Sequence, residues 1–173
     1  LIYILKVEEE APKGAFSFLE TFCSDGDIIY DIIYMITACG IIVLYENKVL
    51  LCHPTNSRWE GTYGVPKGRI EEGEETIDCA VREFFEETGI IIDKDKLNAK
   101  TIIGYKNYQS GEVYKELCLF IHKINHLSEI GLDNEVIPQS QLQITEIDWC
   151  GFLTKDEATP KMFIKQIPVL NFL

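Results

Sequence analysis

The chain is short of positive charge. Sixteen Lys and Arg face 28 Asp and Glu in 173 residues, for a formal net charge of −12. Broad electrostatic binding to nucleic acid or to an anionic membrane needs clustered Lys and Arg. DNA and membranes are therefore not expected as partners, and RNA is disfavoured on the same ground without being excluded. A polyphosphate substrate would be repelled too, unless divalent cations stood between it and the protein. The six cysteines (Cys23, Cys39, Cys52, Cys79, Cys118 and Cys150) are scattered, with no CxxC pair and no zinc-finger spacing. Without a disulfide or zinc framework, the expectation is buried free thiols in a reducing compartment, hence a cytoplasmic location.

Other features are missing as well. The opening LIYILKVEEE has no basic n-region and no A-x-A cleavage site. There is no internal repeat, low-complexity tract or Pro/Ser-rich linker, and the length suits one domain. One long apolar run exists, IIYDIIYMITACGIIVLY at 28–45, near the minimum length for a spanning helix. Asp31 interrupts it, no Lys or Arg anchors either end, and its β-branched and aromatic residues suit strands. Two core strands meeting near Cys39-Gly40 are expected there.

What is present reads as alternating strands and helices. Residues 1–36 are less regular and form an N-terminal elaboration of unknown role, with one strand (Leu1 to Val7) and a loop around Pro12-Lys13-Gly14. From Ile41, IIVLY, Glu46-Asn47-Lys48 and VLLCH predict a β-hairpin. The stretch PTNSRWEGTYGVPKG is a loop. Glu74 to Thr88 predicts a helix stopped by Gly89, with Ile77, Ala80, Val81, Phe84 and Phe85 as its core stripe. Strands are expected at Thr101 to Tyr105 and Val113 to Ile124, joined by a turn at Gln109-Ser110-Gly111, then at Ile144 to Trp149. A terminal helix is expected over Lys155 to Ile167. Strands on both sides of a central helix indicate a mixed α/β domain with helices covering a sheet.

Within the predicted helix, Glu83 stands at i+3 from Glu86 and i+4 from Glu87, so the three carboxylates share one face, roughly opposite Ile77, Val81 and Phe84. Like charges at that spacing destabilise a helix by about 0.2–0.5 kcal/mol per pair, and only Arg82 stands among them. Two readings are open: a solvated acidic face, or a preassembled site for a hard divalent cation such as Mg²⁺ or Mn²⁺.

The same stretch, GRIEEGEETIDCAVREFFEETGI at 68–90, resembles the Nudix box: Gly, five residues, Glu, seven residues, then Arg-Glu-U-x-Glu-Glu-x-Gly-U. Gly68, Glu74, Arg82-Glu83-Phe84, Glu86-Glu87, Gly89 and Ile90 fill every defined position. The resemblance implies a Nudix-type α/β/α sandwich with a central mixed β-sheet over residues 37–173. It also implies a hydrolase that uses Mg²⁺ or Mn²⁺ on a nucleoside diphosphate linked to another moiety. Carried over residue by residue, Glu83, Glu86, Glu87 and the Gly68 carbonyl would be metal ligands. Arg82 would orient a box glutamate, and Glu74 would be a supporting carboxylate.

For the substrate, Val65-Pro66-Lys67-Gly68 resembles dinucleoside polyphosphate hydrolases, diphosphoinositol polyphosphate phosphohydrolases and the RNA-decapping branch, with Lys67 reaching a phosphate. Tyr108 lies close to where dinucleoside tetraphosphate hydrolases carry a tyrosine, and Tyr105 and Tyr114 could join it in stacking on a base. The preferred expectation is therefore a small nucleotide such as diadenosine tetraphosphate. The alternatives are RNA 5′-end removal, nucleoside triphosphate or diphosphoinositol polyphosphate hydrolysis, or a catalytically silent nucleotide-sensing module. Relatives often carry a glutamate six residues before the late tryptophan, but here that position is Gln143. Glu146 and Glu135 are the candidates to replace it, although strand alternation would turn Glu146 away from Gln143.

Overall fold

The computed structural model describes residues 6–8, 36–97, 99–106 and 113–173. Among the described residues, seven strands form one sheet: β1 (Lys6–Glu8), β2 (Ile36–Tyr45), β3 (Lys48–Pro54), β4 (Lys67–Arg69), β5 (Ala99–Lys106), β6 (Val113–Ile124) and β7 (Ile147–Thr154). Six of them run in the order β1-β5-β6-β2-β3-β7, and β4 lies against β2. The pairing of β2 with β6 is parallel and the other pairings are antiparallel, so the sheet is mixed. Three residues of the N-terminal stretch thus extend the sheet at β5. Cys23, residues 28–35, the 12–14 loop, the 109–111 turn and Tyr108 lie outside the described residues.

Period-two alternation divides the sheet into two faces. Cys39, Ile41, Val43, Leu50 and Cys52 pack with Cys79, Ala80 and Phe84 of helix α1 (Thr76–Thr88). Ala38, Ile42, Leu44, Val49 and Leu51 pack on the other face with Ala158, Met162, Val169 and Leu170. The architecture is the expected Nudix-type α/β/α sandwich. Among the described residues no helix is long and apolar enough to cross a membrane. The apolar run ends instead as β2 in the middle of the sheet.

Several expectations need correction. Strand β2 passes straight through Cys39-Gly40 instead of breaking there. Gly40 marks a close approach: a Cβ on it would stand 2.3 Å from the Pro66 carbonyl oxygen. Strand β3 pairs with β2 only at Leu44/Val49 and Tyr45/Lys48, and β4 takes over the same edge at Ala38 to Gly40. The last strand starts at Ile147, not Ile144, because residues 143–146 form a turn in which Gln143 O accepts from both Glu146 N and Ile147 N, each at 2.8 Å. The terminal helix shrinks to α2 (Lys155–Ala158), followed by Thr159-Pro160 and a 3₁₀ run at Ile164–Phe172. Pro160 has no N–H to continue the ladder. Phe85, expected in the core stripe, is 49% exposed.

Candidate functional site

Strand β4 fixes the start of the box. Its register sets Gly68 opposite Cys39 and Lys67 opposite Gly40, so the loop before α1 is fastened to the middle strand. Helix α1 then runs back over the sheet and ends at Gly89, whose N–H donates to Phe85 O at 2.7 Å. Gly68 leaves room for the Glu83 carboxylate, since a Cβ there would lie 1.8 Å from Glu83 Oε2 and displace it. The Glu83 carboxylate therefore rests directly on the backbone whose carbonyl is the expected fourth ligand.

Arg82 organises the acidic residues. Its Nε and Nη2 donate to the two oxygens of Glu74, both at 2.8 Å, a bidentate fork. Its Nη1 donates to Glu83 Oε1 at 2.9 Å and to Glu86 Oε2 at 3.3 Å, and Nη2 reaches Arg69 O at 3.0 Å. The guanidinium holds the Glu74 carboxyl well below the usual range, at about 2, and is itself raised by Glu74 and then Glu83. Glu74 is thereby an anchor for Arg82, and Arg82 an anchor for Glu83.

The three box carboxylates are not equivalent, which corrects the picture of one solvated face opposite the core. Glu86 is exposed, Glu83 is largely covered, and Glu87 is only 7% exposed. Glu87 Oε2 accepts from the Lys67 backbone N–H at 3.0 Å. Burial pushes its carboxyl up to about 7; the charge and N–H of Lys67 oppose that, and the charges of Glu83 and Glu146 add to it. Among the described residues no three His, Cys, Asp or Glu side chains converge into an ion-holding group, and Arg82 supplies the positive charge that Glu83 and Glu86 share. The donor chemistry still fits a hard divalent ion. Glu83, Glu86, Glu87 and the Gly68 carbonyl offer oxygen only, and one of them is a buried carboxylate that a cation would relieve.

Beside Glu87 lies a cavity of about 210 Å³ whose lining includes Cys52, Lys67, Glu87, Tyr105, Lys115 and Gln166. Lys67, the expected phosphate contact, is among the residues that line this cavity. Tyr105 reaches the same cavity but is buried, and Gln166 Nε2 donates to its hydroxyl at 3.3 Å. Lys115 and Lys165 carry ammonium groups 5.8 and 5.4 Å from its ring centroid. Tyr114 belongs to β6 by its backbone, and Tyr108 lies outside the described residues. Sequence reading did not find Lys115 or Gln166, because only the folded sheet and the C-terminal 3₁₀ run bring them to the cleft.

The late-glutamate question changes as well. Because 143–146 is a turn and not a strand, alternation does not apply. Gln143 Nε2 donates to Glu146 Oε1 at 3.4 Å, and the charge of Glu146 reaches Glu87. Glu135 is instead engaged by Lys48 at another edge.

Comparison with known proteins agrees with this geometry. The NUDIX domain model matches residues 35–168, so the chain belongs to the Nudix family. The m7GpppN-mRNA hydrolase of Saccharomyces cerevisiae is 30% identical over 132 residues, covering 73% of this chain but only 12% of the yeast protein. The mRNA-decapping protein g5R of African swine fever virus (isolate Warthog) is 25% identical over 121 residues, 65% of this chain and 49% of its own length. In fold, the chain is similar to a C. elegans Ap4A hydrolase binary complex, with TM-score 0.52 and 18% identity over 79% of this chain and 93% of that one. It is also similar to a bifunctional NMN adenylyltransferase/ADP ribose pyrophosphatase from Francisella tularensis complexed with AMP and a Mn ion. That match has TM-score 0.55 and 14% identity, over 82% of this chain and 42% of that one.

Proposed function

We propose that the protein is a pyrophosphohydrolase that cleaves a phosphoanhydride bond in a polyphosphate joining two nucleosides through their 5′ ends. The observation that carries this is the shared cleft: the buried box carboxylate Glu87 and the two lysines Lys67 and Lys115 line one cavity. Lysine ammonium groups bind phosphate as point charges, and they stand where a net charge of −12 would otherwise repel the substrate. Glu83, Glu86, Glu87 and the Gly68 carbonyl would hold Mg²⁺ or Mn²⁺. When bound, such an ion polarises phosphoryl oxygen and lowers the pKa of an attacking water. Arg82 keeps Glu83 and Glu86 in place, with Glu74 as its anchor. Glu146, a carboxylate outside the box whose charge acts on Glu87, would be the base that accepts the proton of the attacking water.

The 5′,5′ bridge is common to free dinucleoside polyphosphates and to the capped end of an mRNA. The acidic surface favours the free dinucleotide, since it offers little to a long RNA. The capped end is supported by the yeast and viral relatives named above. Diadenosine tetraphosphate, capped RNA, nucleoside triphosphates and a diphosphoinositol polyphosphate, each with Mg²⁺, distinguish these. Cleavage of either 5′,5′-bridged compound, lost in Glu86→Gln, is expected. Release from triphosphates alone would overturn the bridge assignment. No release from any of them would leave a nucleotide-sensing module, against which the complete Glu83/Glu86/Glu87 set speaks.

A further inference from the structure

Outside the box, a flat aromatic stack stands at the end of β3. The indole of Trp59 lies on the imidazole of His53 with centroids 4.0 Å apart and planes 2° from parallel. His53 is 1% exposed and Trp59 is 58% exposed, so one face of the indole is covered and much of the rest is open to solvent. The lower ring cannot rotate freely. Its Nδ1 is 2.5 Å from Asp148 Oδ1 and its Nε2 is 3.2 Å from the Arg58 carbonyl oxygen. Behind it, Tyr63 contacts His53 at 5.0 Å and Trp149 at 5.5 Å between centroids.

A single exposed aromatic is ordinary on a protein surface. This one differs in being held flat from below and in standing on the loop between two residues that line the cleft. Pro54, the next residue after His53, lines the cavity that contains Glu87 and Lys67, and so does Thr62. The Thr62 hydroxyl donates to the same Arg58 carbonyl that faces His53. The geometry points to Trp59 as the stacking platform for a nucleobase of the substrate, with His53 as the residue that positions it. The inference rests on the pyrophosphohydrolase reading of the adjoining cleft and names a base-binding residue for it.

A pre-fixed indole loses little conformational freedom when a base lands on it. A plain π-face reads no base edge, so adenine and guanine are both accepted. Every base offers such a face, and one base–aromatic stack is worth about 1–3 kcal/mol by alanine substitution, or about 5- to 150-fold. Trp59→Ala is therefore expected to raise KM for a 5′,5′-bridged dinucleotide by about that factor, with kcat little changed. Trp59→Phe, which keeps an aromatic face, restores most of the affinity.

Direct binding gives a readout independent of turnover, because Trp59 and Trp149 are the two tryptophans of the chain. An α,β-methylene nucleoside triphosphate should quench wild-type fluorescence, inorganic tripolyphosphate should not, and the quench should vanish in Trp59→Phe. Equal quenching by tripolyphosphate, a quench that survives Trp59→Phe, or an unchanged KM in Trp59→Ala would each overturn the assignment. Loss of the function reading looks different: the Trp59-dependent quench would be intact while no phosphoanhydride bond is cleaved.

Discussion

Replacing Glu87 with Gln should make the metal-free protein more stable while destroying its activity. Glu87 is 7% exposed, and burial pushes its carboxyl from 4.5 up to about 7. A raised carboxyl is a destabilising one when ionised. The cost is fully present above the folded value, shrinks as pH falls, and is gone below the unfolded value. From 4.5 to about 7 corresponds to about 3 kcal/mol at pH 8 and to less than half of that at pH 5.5. Gln keeps the shape and can still accept from Lys67 N–H, while its new amide needs a partner of its own at some cost. A net gain of about 1–3 kcal/mol at pH 8 follows. Urea denaturation in EDTA reads it as a midpoint shift of roughly 0.5–1.5 M, given a slope of about 2 kcal/mol/M. Added Mg²⁺ should reverse the ranking, since an ion bound only to the folded state stabilises the wild type by mass action. A Glu87→Gln protein that is less stable than wild type in EDTA at pH 8, or a difference independent of pH, would refute the reasoning.

Other substitutions probe the rest of the site. Glu83→Gln and Glu86→Gln should each lower kcat/KM by at least about 100-fold, since even residues that only support metal ligands cost 10- to 100-fold. Arg82→Lys keeps the charge but loses the fork onto Glu74, and a fall of about 10- to 100-fold in activity or Mg²⁺ affinity is expected from titration and steady-state rates. Gly68→Ala would drive a methyl into the Glu83 carboxylate, 1.8 Å away. It should lower activity by about tenfold or more while the urea midpoint stays near wild type, because a side chain moves and the core does not. Glu146→Gln should lower kcat by about 10²- to 10⁴-fold in steady-state assays, whereas Glu135→Gln should leave it near wild type.

Much of this could be read from the sequence, and the parts that could not have identifiable causes. The helix stop at Gly89 and the bounds of β6 follow from local turn chemistry and alternation and stand as expected, and so does the hairpin, except that Lys48 of the expected Glu46-Asn47-Lys48 turn already opens β3. Spacing on a helix assigns Glu83, Glu86 and Glu87 to one side. It cannot tell that α1 packs at an angle that buries Glu87 and exposes Phe85, because burial is decided by the partner surface. The apparent strand at Ile144 is a β-like sequence folded into a turn by tertiary contacts, with Thr55 N donating to Glu146 O at 2.7 Å and Thr55 Oγ1 to Ile144 O at 2.7 Å. That turn is also what brings Glu146 toward the site. Lys115 and Gln166 are brought to the cleft from distant segments, and no local pattern announces them; the Trp59–His53 stack is local, but only the folded loop lays the two rings flat.

The central claim is that water attacks a phosphoanhydride bond at the carboxylates of the Nudix box. The most direct measurement is turnover of diadenosine tetraphosphate and of capped RNA in ¹⁸O-water with Mg²⁺, with the nucleotide products weighed by mass spectrometry. The account predicts one ¹⁸O in a product phosphoryl group per cleavage, and none in EDTA or in Glu86→Gln. Product without the label, or labelled product formed equally well by Glu86→Gln, would contradict it.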